Sequence, residues 1–335
     1  MSRAVRYKKH LTTLQVFLSI VLVLLTVCVL VKAFFLKAPE QKAAELPAQP
    51  ASSDTDSQQS PEEQAAQEAL RSHLERKGGF YTILLSGLDD DNGGSDTNIL
   101  VAVDTVNGYV YGVSIPRDSK AIIDGKARKI NYAYNKGGTE LLADTVSEQL
   151  GIPVDYTVSV NLKGFTALVD AIGGVDFDVP INMDYDDPIQ NLSIHFKKGV
   201  QHLSGADALR VVRFRHNNDG SGYGSEDLGR MATQQKFLKA VAKKMLSAGN
   251  ILTKIDDYAK IFNQYVDTNL TVGNLAWLGT EVLKMGVDKI DFSTLPNAWK
   301  YPYIYLDPTE TLTLVNTYLN PYVEDRTADD LNIPG

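Results

Sequence analysis

The hydrophobic positions along the chain fall into three regimes. From Leu11 to Val31 there are 21 consecutive uncharged residues rich in Leu, Val and Ile, and Ala33–Leu36 extends the run past one lysine. At 1.5 Å per residue, such a helix is about as long as a bilayer core is thick. Residues 38–61 are dominated by Ala, Pro, Gln, Ser and acidic side chains, with no aromatic and only one Leu, a composition too poor in apolar surface to fold alone. Glu62–Lys77 then places Ala65, Ala69, Leu70 and Leu74 at helical spacing and stops at Gly78-Gly79.

Beyond Gly79 the pattern alternates between strand and helix. Tyr81–Ser86, Asn98–Asp104 and Tyr109–Ile115 are short apolar runs, the last preceded by an Asn107-Gly108 turn signal. Helical periodicity marks Gly138–Leu150, Leu162–Ala171 and Arg230–Leu246, and Ser204-x-x-Asp207 reads as a capping box. Strands are predicted at Tyr156–Val160 and Val175–Val179. Alternation of this kind predicts one α/β domain over 79–325, an α/β/α sandwich with a mixed central sheet, followed by a tail at 326–335.

Charge sets the topology. Residues 1–37 carry six basic side chains and no acidic one, and of the chain's 33 basic residues the 27 that remain face 41 acids, a net of −14. Arg3, Arg6, Lys8 and Lys9 precede the apolar run, so the positive-inside rule places 1–10 in the cytoplasm. Residues 11–36 read as a type II transmembrane signal anchor, 37–78 as an extracellular linker with a short helix, and the domain as extracellular. A body this acidic argues against nucleic-acid binding. The only cysteine, Cys28, lies in the apolar run, which removes disulfides, thiol nucleophiles and Cys-ligated zinc from the body.

Walker A, G-x-G-x-x-G, H-E-x-x-H and G-x-S-x-G motifs are absent. The five histidines show no metal-ligand spacing and read as exposed or structural. What stands out is a set of charges at element ends. Asp89 ends the first strand region, and Asp96 opens the next after a glycine-rich loop. The pair reads either as turn-formers or as carboxylates for a hard cation such as magnesium. Arg117 follows the third strand, Arg213 and Arg215 flank Phe214, and Arg230 is expected in the first turn of its helix with Gln234 one turn on. If 212–216 is extended, the two arginines share a face while Phe214 points inward. These cations are either separate salt bridges or a diphosphate site, since guanidinium forks bind phosphate bidentately.

At these residues the chain resembles the LytR-CpsA-Psr family of cell-envelope phosphotransferases. The matching segments include Leu85-Ser86-Gly87-Leu88-Asp89, Ser95-Asp96-Thr97, Ser114-Ile115-Pro116-Arg117-Asp118, Lys129-Ile130-Asn131, Val212-Arg213-x-Arg215 and Gly229-Arg230-x-x-x-Gln234-Gln235. The resemblance implies transfer of a glycopolymer from a polyprenyl-diphosphate carrier to peptidoglycan, with release of polyprenyl phosphate and with pyrophosphatase action as a side activity. It implies Mg2+ at Asp89 and Asp96, with Arg117, Arg213, Arg215, Arg230 and Gln234 on the diphosphate and Lys129 as a further substrate-binding candidate. Asp89 is also the candidate base. Two departures stand out: Gly94 and Thr233 occupy positions where the family usually has arginine. They keep open a low-activity scaffold that binds the lipid diphosphate. A transcriptional regulator, a role once given to some relatives, conflicts with the topology and the acidic body.

Overall fold

A computed structural model of the chain describes residues 36–42, 73–88, 94–189, 192–224, 226–245 and 255–335. The expected anchor, most of the linker and its helix, and Asp89 lie outside the described residues. Among those described, no helix is long and apolar enough to cross a membrane.

The chain divides into two compact units. In the smaller, Met1–Glu40 with Leu270–Thr280, Asn274 organises the described part. Its Oδ1 accepts from the Thr271 backbone and hydroxyl, and its Nδ2 donates to Lys37 O at 2.9 Å.

The larger unit, Gln41–Asn269 with Glu281–Gly335, carries the fold. In chain order its elements begin β1 (Phe80–Leu88), β2 (Ser95–Asp104), β3 (Tyr109–Ile115), β4 (Lys120–Ile123), β5 (Lys126–Lys129), α1 (Asn131–Leu150), β6 (Tyr156–Asn161) and α2 (Leu162–Ala171). There follow β7 (Val175–Val179), β8 (Met183–Asp187), β9 (Leu192–Phe196), β10 (Gly199–Leu203), α3 (Gly205–Arg213), α4 (Glu226–Met245), α5 (Ile255–Tyr265) and β11 (Val266–Thr268). After helix α6 (Val272–Met285), whose residues up to Thr280 belong to the smaller unit, come β12 (Ile290–Thr294), β13 (Asn297–Lys300), β14 (Tyr303–Leu306) and α7 (Pro308–Leu314).

The central sheet is mixed, in the order β11-β6-β1-β2-β3-β12. β1, β2 and β3 form an antiparallel meander, with β6 and β12 parallel on its flanks. The tight turn predicted at Asn107-Gly108 joins β2 to β3, with Asp104 Oδ1 accepting from the amides of Val106 and Asn107. Side-chain parity sorts the layers. Leu84, Leu100, Val113 and Ile115 pack with Leu142, Val146 and Leu150 of α1 on one face. Ser114, which points the opposite way from Val113 and Ile115, hydrogen-bonds α4 on the other. A second core joins Val169 of α2, Ile172 just after it, Phe177 of β7, Phe214, and Phe237 and Val241 of α4. Phe177 and Phe237 meet edge-on at 5.3 Å, a favoured aromatic geometry.

Three expectations change. The helix read as Arg230–Leu246 begins at Glu226, so Arg230 sits beyond its first turn. Gly229 reads locally as a boundary, but it lies inside the helix, where a Cβ would come within 2.1 Å of Tyr223. The extended reading of 212–216 is replaced by a helix that ends at Arg213, followed by an extended, fully buried Phe214. The last ten residues do not trail as a tail. Arg326 is buried with its guanidinium 4.2 Å from the Tyr322 ring, and Asn332 N donates to Glu148 O.

The chain entering β1 is fastened to the body. Arg76 makes a bidentate pair with the buried Asp155 at 2.9 and 3.1 Å, and Asp155 also accepts from the Thr82 amide and hydroxyl. His73 bridges Asp330 at 3.0 Å and Glu324 at 3.1 Å. The hydrogen bond to Asp330, then that to Glu324, raises its pKa above the usual 6.5. Because the folded value is the higher one, the stabilisation is complete below the unfolded pKa and lost as pH rises through the folded pKa. His73→Gln is therefore expected to lower Tm more at about pH 5.5 than at about pH 8.5. Equal losses at both, measured by differential scanning calorimetry, would show that the bridge carries no charge.

Candidate functional site

The apolar strands of the meander become polar at one end of the sheet. β2 opens with Ser95-Asp96-Thr97-Asn98, and β3 runs through Ser114-Ile115 into Pro116-Arg117-Asp118. Register places Asn98 opposite Ile115, so the start of β2 and the end of β3 share this edge. α4 forms one wall with Arg230, Met231 and Gln234, and Ile304 of β14 forms the other. Asp96, Thr97, Asn98, Ser114 and Ile115–Asp118 lie between them.

Charge is concentrated in this cleft. Arg117 Nη1 donates to Asp96 Oδ1 at 2.6 Å, with both side chains partly solvent-exposed. Lys129 pairs with Asp118 at 2.9 Å at the margin. Arg230 is half-buried and close to Tyr223, whose phenol is pushed above its ordinary pKa by burial, against the opposing effects of Thr233 and Arg230. Asn98 is 1% exposed, yet among the described residues neither its amide nitrogen nor its carbonyl oxygen has a hydrogen-bond partner. Ser86, directly opposite Asn98 on β1, also has a buried hydroxyl without a partner among the described residues. Unsatisfied buried groups cost about 1–3 kcal/mol each, and of these two residues Asn98 is among those that line the cleft.

Gln235 holds α4 over this floor. Its Nε2 lies 3.0 Å from Ser114 Oγ, 2.8 Å from Ser293 O and 3.1 Å from Thr294 Oγ1, reaching β3 and β12 together. Gln234 Nε2 donates to Val212 O, which braces the end of α3 against the same helix. Thr233 hydrogen-bonds Gly229 O and the Tyr223 hydroxyl while almost fully buried, so the site has no room for an arginine there. Gly94 has φ +124°, a conformation side chains rarely adopt, and a Cβ there would stand 3.0 Å from Asn135 Oδ1. Both departures from the family pattern are thus built into the local packing.

Of the predicted residues, Asp96, Arg117, Arg230 and Gln234 meet in the cleft. Lys129 reaches it only through Asp118, and Arg213 and Arg215 flank the buried Phe214 outside the cleft lining. Asn98, Ser114 and Asp118 were missed as site residues. A polar residue inside an otherwise apolar strand was the available signal for Ser114. The structure also gathers a group that spacing did not reveal: His195 contacts Asp184 at 2.7 Å and Asp186 at 3.3 Å across the exposed β8–β9 hairpin.

The model of the LytR_cpsA_psr family matches residues 46–319. The chain is 37% identical over 202 residues to the polyisoprenyl-teichoic acid–peptidoglycan teichoic acid transferase TagV of Bacillus subtilis (strain 168), covering 57% of this chain and 50% of that protein. It is 36% identical over 195 residues to the corresponding TagU of Bacillus cereus, covering 57% and 60%. The match thus spans only half to three-fifths of these relatives' length. The crystal structure of B. subtilis TagV superposes with a TM-score of 0.61 at 32% identity, over 72% of this chain and 96% of that one. TagT bound to LI-WTA superposes at 0.56 and 25% identity, over 71% and 88%.

Gln235→Leu removes all three anchoring contacts and strands the Ser114 and Thr294 hydroxyls. It is expected to lower unfolding free energy by about 1–3 kcal/mol in urea titrations. An unchanged midpoint would show that α4 is held by apolar packing alone.

Proposed function

This chain belongs to the LytR-CpsA-Psr family, and on that premise we propose that it transfers a glycopolymer from a polyprenyl-diphosphate carrier to peptidoglycan. The observation that carries the reading is the cleft itself, where α4, the end of β3 and the start of β2 bring Arg230, Arg117 and Asp96 together. The transferase names of the relatives support the same reaction class.

The chemistry follows from charge. A diphosphate needs its non-bridging oxygens neutralised as the bond to the leaving group breaks, and phosphoryl transfer depends mainly on positioning and electrostatic stabilisation. Arg117 and Arg230 supply guanidinium donors to the same cleft from the end of β3 and from α4, and the Asp96 contact orients Arg117. An acceptor hydroxyl oxygen attacks the glycopolymer-linked phosphorus and forms a phosphodiester. The bond from that phosphorus to the bridging oxygen breaks, and polyprenyl phosphate leaves with the electron pair. The hydroxyl proton passes to a carboxylate, for which Asp89 is the proposed base. Arg213 and Arg215, on the segment braced by Gln234, are proposed to contact the substrate beyond the cleft floor.

Hard oxygen donors are what magnesium requires, and Asp96 with the carbonyl oxygen of Asn98 fits that need, joined in the proposal by Asp89. Bound there, the ion would add positive charge against the diphosphate. The domain is proposed to face the cell wall on a single-pass N-terminal anchor. A second reading, a carrier-binding scaffold with slow turnover, is favoured by the fixed absence of arginine at positions 94 and 233.

The full-length protein in detergent with Mg2+ and a polyprenyl-diphosphate glycan is expected to release polyprenyl phosphate. Arg117→Ala and Asp96→Ala should each slow release about 100-fold or more, the usual cost of removing one transition-state charge contact. Equal release by all three proteins overturns the catalytic assignment, and slow release with tight carrier binding by the parent protein selects the scaffold.

A further inference from the structure

The β13–β14 hairpin carries aromatic rings on both faces. On one face Tyr303 donates from its hydroxyl to Ala127 O at 3.1 Å, and Tyr305 lies under the ammonium groups of Lys120 and Lys300. The other face buries Ile304 and Leu306 of β14, yet its β13 residue Trp299 is 60% exposed, and Tyr301 in the turn is 85% exposed. Neither ring makes a stacking or cation–π contact among the described residues.

Position gives this exposure a meaning. Trp299 is the register partner of Ile304, and directly opposed residues of an antiparallel pair share a face with Cβ atoms about 5 Å apart. Ile304 forms the β14 wall of the cleft, and its amide donates to Asp118 O. The Trp299 indole therefore continues the cleft wall one strand outward into solvent. The two walls differ in kind. Behind Met231, α4 leads to the fully buried Phe237, whereas β14 leads out to wet aromatic rings.

We propose that Trp299, with Tyr301 at the turn, forms a stacking platform for the acceptor glycan strand. Pyranose rings present a face of C–H bonds that packs on the electron-rich face of indole or phenol, while their hydroxyls stay hydrated at the ring edge. A lipid chain needs enclosure, which an open hairpin does not provide. The acceptor is selected over the donor's polymer by reaction geometry. An in-line displacement puts nucleophile and leaving group on opposite sides of the phosphorus. In this proposal the apolar leaving group lies on the α4 side, towards Met231 and the buried Phe237, so the attacking hydroxyl arrives from the β14 side. The assignment rests on the transferase reading above and names where its second substrate docks.

The experiment uses the full-length protein in detergent and a tetrasaccharide of alternating N-acetylglucosamine and N-acetylmuramic acid. Calorimetric titration measures binding, and donor turnover at varied tetrasaccharide gives its KM. Trp299→Ala is expected to weaken binding and raise this KM about tenfold, with a smaller change in kcat, while Trp299→Phe keeps both within about twofold. Tyr301→Ser should shift both in the direction of Trp299→Ala. Donor turnover with identical binding and KM in the parent and Trp299→Ala overturns the platform and leaves the transferase reading intact. Tetrasaccharide binding lost in Trp299→Ala, in a protein that turns over no donor, sustains the platform and overturns the transferase reading.

Discussion

One side-chain amide decides where the charges of the cleft can meet. Gln235 ties α4 to β3 and β12 through Ser114, Ser293 and Thr294, and Arg230 precedes it on the same helix by five residues. A slide of α4 by a single turn, about 5.4 Å, would carry Arg230 away from Asp96 and Arg117. Apolar packing around Phe237 fixes the helix against the second core but is non-directional. The directional hydrogen bonds of Gln235 add the register.

The sheet beneath gathers the polar residues that line the cleft at one end of its strands. Along β1 to β3 the interior is Leu, Ile and Val, and the change to Ser, Asn and Asp comes where the strands reach the cleft. Buried polar atoms without partners among the described residues, at Asn98 and the neighbouring Ser86, are a cost the domain carries near its site. That cost is offset elsewhere. Arg76 and Asp155 close the start of β1, and His73 with Glu324 and Asp330 fastens the C-terminal segment beside it. Because Asp155 is fully buried, its pairing with Arg76 and its hydrogen bonds from Thr82 must form together.

Much of the fold was legible because local rules sufficed. β3, β7 and α2 fall where periodicity and capping put them, and Ser204 accepts from the Asp207 amide as its motif predicts. The errors came where local signals compete with contacts made at long range. Gly229 looks like a helix boundary, but its lack of a side chain serves the approach of Tyr223. The last residues look like a polar tail, but Arg326 finds an aromatic ring and a buried place. In the cleft, Asp96, Arg117, Arg230 and Gln234 were legible as charged or amide side chains at element ends. Asn98 was not, since a lone asparagine in a strand says nothing of burial until the strand is paired.

By itself the sequence determined the mixed α/β class, most element positions, the charge asymmetry between the first 37 residues and the rest, and the family to which the chain belongs. These are properties of adjacent residues: periodicity, caps and ordered motifs. Tertiary structure alone decided which charges converge. Asp96 and Arg117 meet because β2 and β3 are antiparallel neighbours, Arg230 joins them through the Gln235 contacts, and Arg213 and Arg215 fall outside because α3 ends there on a buried Phe214. It likewise decided that Trp299 stands beside the cleft, through a cross-strand partner five residues away. Proximity between distant segments is set by sheet register and helix packing, which no local stretch of sequence encodes.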